Sequence, residues 1–309
     1  MIRLFNIFKS KKPVIVQISN SDIDVYVKGS NKRSNNYIHY PIKRFKKDVD
    51  RTSKKSNYDI WRISGCYEVS KIKDDNFKQN FQIAHTGEWE LAIREIGAND
   101  AIGGSFHGDE IMNSFELFID GKSHDSNNEG TFYCKSLSLK CHSNLFRDNT
   151  ITPDSIEKVG EHIKIYNFSQ DGLKLDQKVV FNESMRLGFA YLGMLPILRL
   201  EKYTEGLQIT DKATSDIDSV EFDVSKEGFE TDISKRRNGI KKLSIYGETS
   251  KVSATVEILN RNIQLRNENS RIDNPRAYNK FYIDFSGRHE THTGEVWEQT
   301  LLYKIDTKN

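Results

Sequence analysis

The stretch Gly103-Gly104-Ser105-Phe106-His107-Gly108-Asp109-Glu110 sets three proton-handling side chains among three glycines within eight residues. Glycines cluster where a chain turns tightly or passes close to another segment, so His107, Asp109 and Glu110 are expected on a bend between strands, where chemistry is often placed. An imidazole beside a carboxylate supplies a general acid and a general base, and His107 with Glu110 has those types. The same groups, with His85 as a distant fourth, carry donors that suit a divalent ion. Their spacing matches no established zinc or calcium loop, so no metal and no cofactor is expected, and a structural turn stabilised by Asp109 and Glu110 is the alternative.

A second set lies in His162-Ile163-Lys164-Ile165-Tyr166. Alternate residues of a strand share a face, which puts His162, Lys164 and Tyr166 together. Ile163 and Ile165 are expected to turn inward, leaving the other three to face either a sugar or plain solvent. Arg186 adds a cation and Tyr191 a phenol, while Arg288 joins Asp109 and Lys164 as a candidate substrate-binding group. His289, Glu290 and His292 form a further cluster, but alternation sets His289 opposite His292. Trp61, Trp89 and Trp297 have faces that could stack on sugars. Trp89 shares parity with Leu91 and Ile93, and Trp297 with Leu301 and Tyr303, which is the pattern of a core.

Period-two patterning dominates the elements that must position these groups. Strands are expected at 14–18, 23–27, 61–69, 77–83, 89–93, 115–119, 131–141, 162–168, 173–181, 220–224, 240–246, 252–259, 281–285 and 296–305, all rich in β-branched and aromatic residues. Turn signals separate them at Asp120-Gly121, Asp171-Gly172, Asn238-Gly239, Ser286-Gly287 and Thr293-Gly294. So many strands cannot stay in one open twisted sheet, so the expected fold is all-β: a large two-sheet antiparallel sandwich with few short helices. Around residues 41–58 lysine, arginine, serine and asparagine replace the alternation. A boundary there would divide a basic N-terminal β element, residues 1–58, from a main sandwich, residues 59–309.

With 11% aromatic and 29% charged residues, the chain has too many rings for disorder and too much charge for a membrane-embedded protein. Its most apolar run, Leu187 to Leu198, falls short of the roughly 20 residues that a spanning helix needs. Three cysteines, Cys66, Cys134 and Cys141, give neither an even disulfide framework nor paired ligand spacing, so reduced thiols in a cytoplasmic protein are expected. Residues 1–60 hold 14 Lys or Arg against 5 Asp or Glu. That cluster, and a second at Lys235, Arg236, Arg237, Lys241 and Lys242, could attract a polyanion or form solvated loops. No nucleic-acid motif accompanies either, so no specific nucleic-acid partner is expected.

The last strand, His292-Thr293-Gly294-Glu295-Val296-Trp297-Glu298, resembles the closing Pro-Gly-Glu-aromatic strand of aldose epimerases, with Thr293 in place of the proline. The Gly103–Glu110 segment is similar to their glycine-histidine segment, and residues 162–173 to a paired strand of the same fold. These segments point to the galactose-mutarotase-like superfamily of β-supersandwiches, which includes aldose epimerases and polysaccharide lyases. The resemblance implies a carbohydrate-active protein working by acid-base proton transfer on a sugar, as a lyase or an epimerase. An epimerase would use His107 and Glu110; a lyase would draw on His107, His162, Tyr166, Arg186 and Tyr191, with an acidic polysaccharide as partner. The alternative is a non-catalytic glycan-binding or structural module of a bacterial or phage surface assembly.

Overall fold

A computed structural model describes residues 12–20, 22–30, 34–47, 57–85, 89–153, 157–201, 206–217, 221–227, 240–263, 268–274 and 277–307. Its first part supplies β1 (Val14–Ser19), β2 (Asp22–Lys28), β3 (Asn36–Lys47), β4 (Tyr58–Ile63), β5 (Cys66–Lys71), β6 (Phe77–Ala84) and β7 (Ala92–Glu95). A single helical turn, α1 (Gly104–His107), precedes β8 (Glu110–Ile119), β9 (Lys122–His124), β10 (Gly130–Cys134), β11 (Leu137–Phe146), β12 (Lys158–Ser169) and β13 (Gly172–Phe181). Then come β14 (Arg186–Leu198), β15 (Lys212–Ser215), β16 (Phe222–Asp223), β17 (Lys242–Tyr246), β18 (Val252–Arg261), β19 (Glu268–Asp273), β20 (Tyr278–Glu290) and β21 (Val296–Thr307).

The fold is an all-β sandwich. One layer runs β9-β8-β11-β12-β13-β21-β18-β17-β15-β16, and the other β10-β1-β2-β3-β5-β6-β14-β20-β19, with β7 beside β14 where β6 ends. Among the described residues the pairs are antiparallel except at one join, where β4, extending the pairing of β3, lies parallel to β8 through Tyr58–Glu110 and Asp59–Ile111. That join hydrogen-bonds one layer to the other beside the glycine-rich turn.

Alternation explains the layers. In β12 and β13 every second residue is buried, and Phe168, Leu173 and Leu175 meet Tyr40 and Leu195 from the facing layer in a single core. Burying each large apolar side chain contributes about 1.5–3 kcal/mol. The layers approach closely where Gly193 of β14 passes Leu301 of β21; a Cβ at Gly193 would collide with the Leu301 side chain.

The structure departs from the expected strand pattern at several places. The 61–69 strand is two, β4 and β5, broken at Gly65, whose φ is +152°. The 131–141 strand is also two, β10 and β11, which belong to different layers, so Cys134 and Cys141 do not lie on one strand. Residues 41–47, read as the start of a linker, are the second half of β3, where Lys43 pairs with Asp22 and Arg44 with Asp59. Ser286-Gly287 lies inside β20 instead of in a turn, and Asn238-Gly239 falls outside the described residues, as do Lys235, Arg236 and Arg237. The apolar run 187–198 lies in β14, whose second half, Leu192–Leu198, is buried on both faces, so that its continuous hydrophobicity hides the period.

Candidate functional site

The glycine-rich segment folds as expected for a tight bend. Gly103 has φ +113°, and a Cβ there would lie 2.7 Å from the Leu91 carbonyl oxygen, so no other residue fits. Gly103 and Gly108 bridge across α1, and the freed Gly104 N–H donates to Glu110 Oε2 at 2.7 Å. Glu110 therefore turns into the sandwich, with a relative exposure of 0%. There Ser143 donates to Glu110 Oε1 at 2.5 Å, His162 Nδ1 lies 3.1 Å from the same oxygen, and Lys164 Nζ lies 3.6 Å away. Burial by itself would push the Glu110 carboxyl up. The Lys164 and His162 charges, with hydrogen bonds from His162 and Ser143, overcome that and hold it well below the usual carboxylate range. For Lys164, burial pulls down, and Glu110 and Glu90 more than restore it, so its ammonium sits above the ordinary value.

His162, Lys164 and Tyr166 do share a face, but it is the inner one; Ile163 and Ile165 are the half-exposed positions. The expected orientation is reversed because the facing groups carry the complementary polarity. Tyr166 donates its hydroxyl to Glu90, which also accepts the Trp89 N–H, and burial with Glu90 nearby raises the phenol well above its ordinary value. His162 Nε2 lies 3.3 Å from Gln177 Oε1, so both ring nitrogens face oxygen acceptors.

From Gln177 the network crosses between the layers. The register of β14 shifts between Tyr191 and Gly193, leaving the Leu192 carbonyl outside the ladder. Gln177 and Gln299, cross-strand partners on β13 and β21, both donate their amides to that carbonyl, with Gln177 at 2.8 Å. Arg261 Nε then donates to Gln299 Oε1 at 2.8 Å. A polar chain thus runs from Glu110 through His162, Gln177, Leu192 and Gln299 to Arg261, passing a small cleft lined by Leu91, Val179, Leu192 and Trp297.

The other expected residues lie elsewhere. His107 is half-buried, with Nδ1 2.9 Å from Asp100 Oδ1, and does not join Glu110 in a shared groove. Asp109 is buried at φ +54°, its N–H on the Asn57 carbonyl and its own carbonyl on the Phe146 N–H, so its backbone ties the bend to the strands. Arg186 is exposed at the start of β14, and Tyr191 stacks on Phe189 on the outer face. Arg288 lies on β20 with its side chain outside the described part. His289 faces Glu295 at 3.4 Å, and Glu295 also takes the His292 N–H and the Trp297 indole N–H, making a local clasp at the last turn. Trp89 and Trp297 are core residues, as their parity implies. Among the described residues no cluster of His, Cys, Asp or Glu is arranged to hold a metal ion.

Sequence reasoning missed Glu90, Ser143, Gln177 and Gln299. The signal for the two glutamines was present: each is a polar residue at an inward position between apolar neighbours, Leu175 and Val179 for one, Trp297 and Leu301 for the other.

A scan against protein-family models and a search of curated proteins found no match. Among solved structures the chain is similar to a galactose mutarotase-like protein from Clostridium acetobutylicum, at 12% identity and TM-score 0.40, over 86% of this chain and 98% of that one. It is also similar to a putative kojibiose phosphorylase from human microbiome, at 9% identity and TM-score 0.33, over 96% of this chain but only 33% of that one.

Proposed function

We propose that this chain is a carbohydrate-binding sandwich that holds a glycan without transforming it. One observation carries the reading: of the candidate acid-base residues, Glu110, His162 and Tyr166 are fully buried and engaged with interior partners, while His107 stands apart on Asp100. A catalytic acid or base must come within hydrogen-bond reach of the proton it moves. Three surface clefts, along 244–255, beside Trp297 and between Gly29 and Gly172, are lined by none of the candidate catalytic residues.

The surface that suits a glycan is the outer face of β7, β14 and β20. Phe189 and Tyr191 stack with ring centroids 4.6 Å apart, and Tyr282 follows at 4.8 Å from Tyr191, all resting on buried Ala92, Ala101 and Met194. Arg94 approaches Phe189 at one end and Lys280 lies over Tyr282 at the other. Aromatic rings suit the apolar side of a pyranose, and the flanking cations favour an acidic glycan. No described helix is long and apolar enough to cross a membrane, and the three buried free thiols support a reducing, cytoplasmic setting.

The test is a panel of acidic and neutral polysaccharides in affinity electrophoresis, with unsaturated-uronate absorbance and reducing ends followed in parallel. Expected is retardation on an acidic glycan without product, weakened about tenfold or more by Tyr191→Ala or Tyr282→Ala. Product formation that disappears in a folded His162→Gln variant overturns the reading in favour of a lyase or epimerase. Silence in every assay overturns the carbohydrate assignment.

A further inference from the structure

Where β2 runs out at Gly29 and β21 ends, a cleft of about 360 Å³ opens between residues of both layers. That volume lies within the roughly 300–1,000 Å³ of clefts that take small molecules. Tyr40 lines it from β3 and is 1% exposed, its ring packed against Phe168 and Trp89. The Tyr40 hydroxyl makes no hydrogen bond among the described residues, yet it is not one of the side-chain atoms closed off from solvent. What solvent reaches of this buried side chain therefore includes its oxygen. Burial, with Cys66 and the Asp306 charge adding to it, pushes the phenol well above its ordinary value, so it keeps its proton and stands as an unused donor.

Asp306 lines the same cleft. Its Oδ1 accepts the Ser30 N–H at 3.1 Å and the Thr307 N–H at 2.9 Å, while Oδ2 has no donor among the described residues and is likewise open to solvent. A Cβ at Gly29 would stand 3.1 Å from Oδ1, so the glycine keeps this carboxylate uncovered. Asp171 and Lys304 complete the charged lining, and among the described residues neither they nor Asp306 has an ion-pair partner. Lys28, the other cation at the cleft, is turned to the Ser34 carbonyl and the Tyr37 ring. Unmet donors and unmet acceptors therefore share one opening.

We propose that this cleft binds a neutral polyhydroxy compound the size of one sugar ring, with one hydroxyl accepting from Tyr40 and another donating to Asp306 Oδ2. The mixed lining selects that class. An anion would meet the Asp171 and Asp306 carboxylates, and a cation would meet Lys304, whereas hydroxyl groups both donate and accept without carrying charge. Val27 and Ile305 add apolar wall for the carbon skeleton. The cleft takes its chemistry from its own residues and stands or falls separately from the outer aromatic strip.

Saturation-transfer NMR and titration calorimetry on the whole chain test the cleft, with glucose, galactose, mannose and ribose as probes and with tetramethylammonium and inorganic phosphate beside them. Expected is saturable binding of at least one sugar with a Kd of about 10 mM or tighter, and of neither ion. Tyr40→Phe weakens it about fivefold or more and leaves the unliganded unfolding midpoint unchanged or raised, because no hydrogen bond within the protein is removed. Asp306→Asn, whose Oδ1 still accepts the two backbone N–H groups, weakens it severalfold. Tyr191→Ala leaves it unchanged, which separates this site from the outer strip. No saturable binding of any of the four sugars, binding of an ion in their place, affinity untouched by Tyr40→Phe, a midpoint lowered by Tyr40→Phe, or binding lost in Tyr191→Ala overturns the proposal.

Discussion

Among single residues, the sealed cluster of Glu110, His162 and Lys164 is held by opposite charges in close contact. Glu110 is its centre: it accepts from Ser143 and Gly104 and neutralises Lys164. Replacing it by Gln leaves the Lys164 ammonium buried and poorly compensated, and breaking a buried pair this way costs about 3–5 kcal/mol; chemical denaturation of Glu110→Gln measures it. The pH profile follows from the same groups. Glu110 titrates far below its ordinary 4.5 when folded, so its stabilisation is complete above that value and is lost as pH falls below it. Lys164 titrates above its ordinary 10.5, so its contribution is complete below that value and is lost as pH rises past it. Midpoints measured across pH should therefore fall at both extremes, and Glu110→Gln should flatten the acid limb.

At the scale of elements, the bulge in β14 and the paired glutamines behave as one device. Removing either amide leaves the Leu192 carbonyl with the other donor, so Gln299→Leu in isolation costs about 1 kcal/mol. The double variant with Gln177→Leu strips the carbonyl of both, and the cycle should show a loss exceeding the sum of the single changes by about 1 kcal/mol. Additive losses in urea unfolding would show that the two amides act separately. Gly193 is the steric counterpart: Gly193→Ala drives a methyl into Leu301, and overpacking of this kind costs about 1–3 kcal/mol. The loss should shrink when Leu301→Ala makes room.

At the scale of the whole molecule, the N-terminal strands share a core with the C-terminal one. Val14, Val25 and Tyr40 pack in the same apolar body as Phe168, Leu301 and Tyr303. We propose on that basis that strands β1 to β3 complete the sandwich, so that residues 1–58 do not form a separate element. A chain beginning at residue 59 would expose the edge of β5 and the inner face of β12 that β2 and β3 cover, so it is expected to bind a hydrophobic dye and to lose its single cooperative transition. Cooperative unfolding of that truncated chain, with native-like near-ultraviolet dichroism, would instead support two separate units.

The all-β class, most strand positions and the grouping of His162, Lys164 and Tyr166 were legible in the amino-acid order, because strand parity is a local property that alternation writes directly into the chain. The same order also marked the Gly103 bend, where only a glycine meets the backbone demand. Tertiary structure decided which face of β12 is inside, that β10 and β11 part into different layers, and that 187–198 is a central strand. Each of these depends on what lies opposite. Isoleucine and a lysine-histidine pair are both acceptable on a half-open strand, and only the arrival of Glu110, Ser143 and Glu90 from distant positions makes burying the polar side the favourable choice. The difference between a catalytic groove and a sealed charge cluster is thus made by partners more than thirty residues away, which no local pattern records.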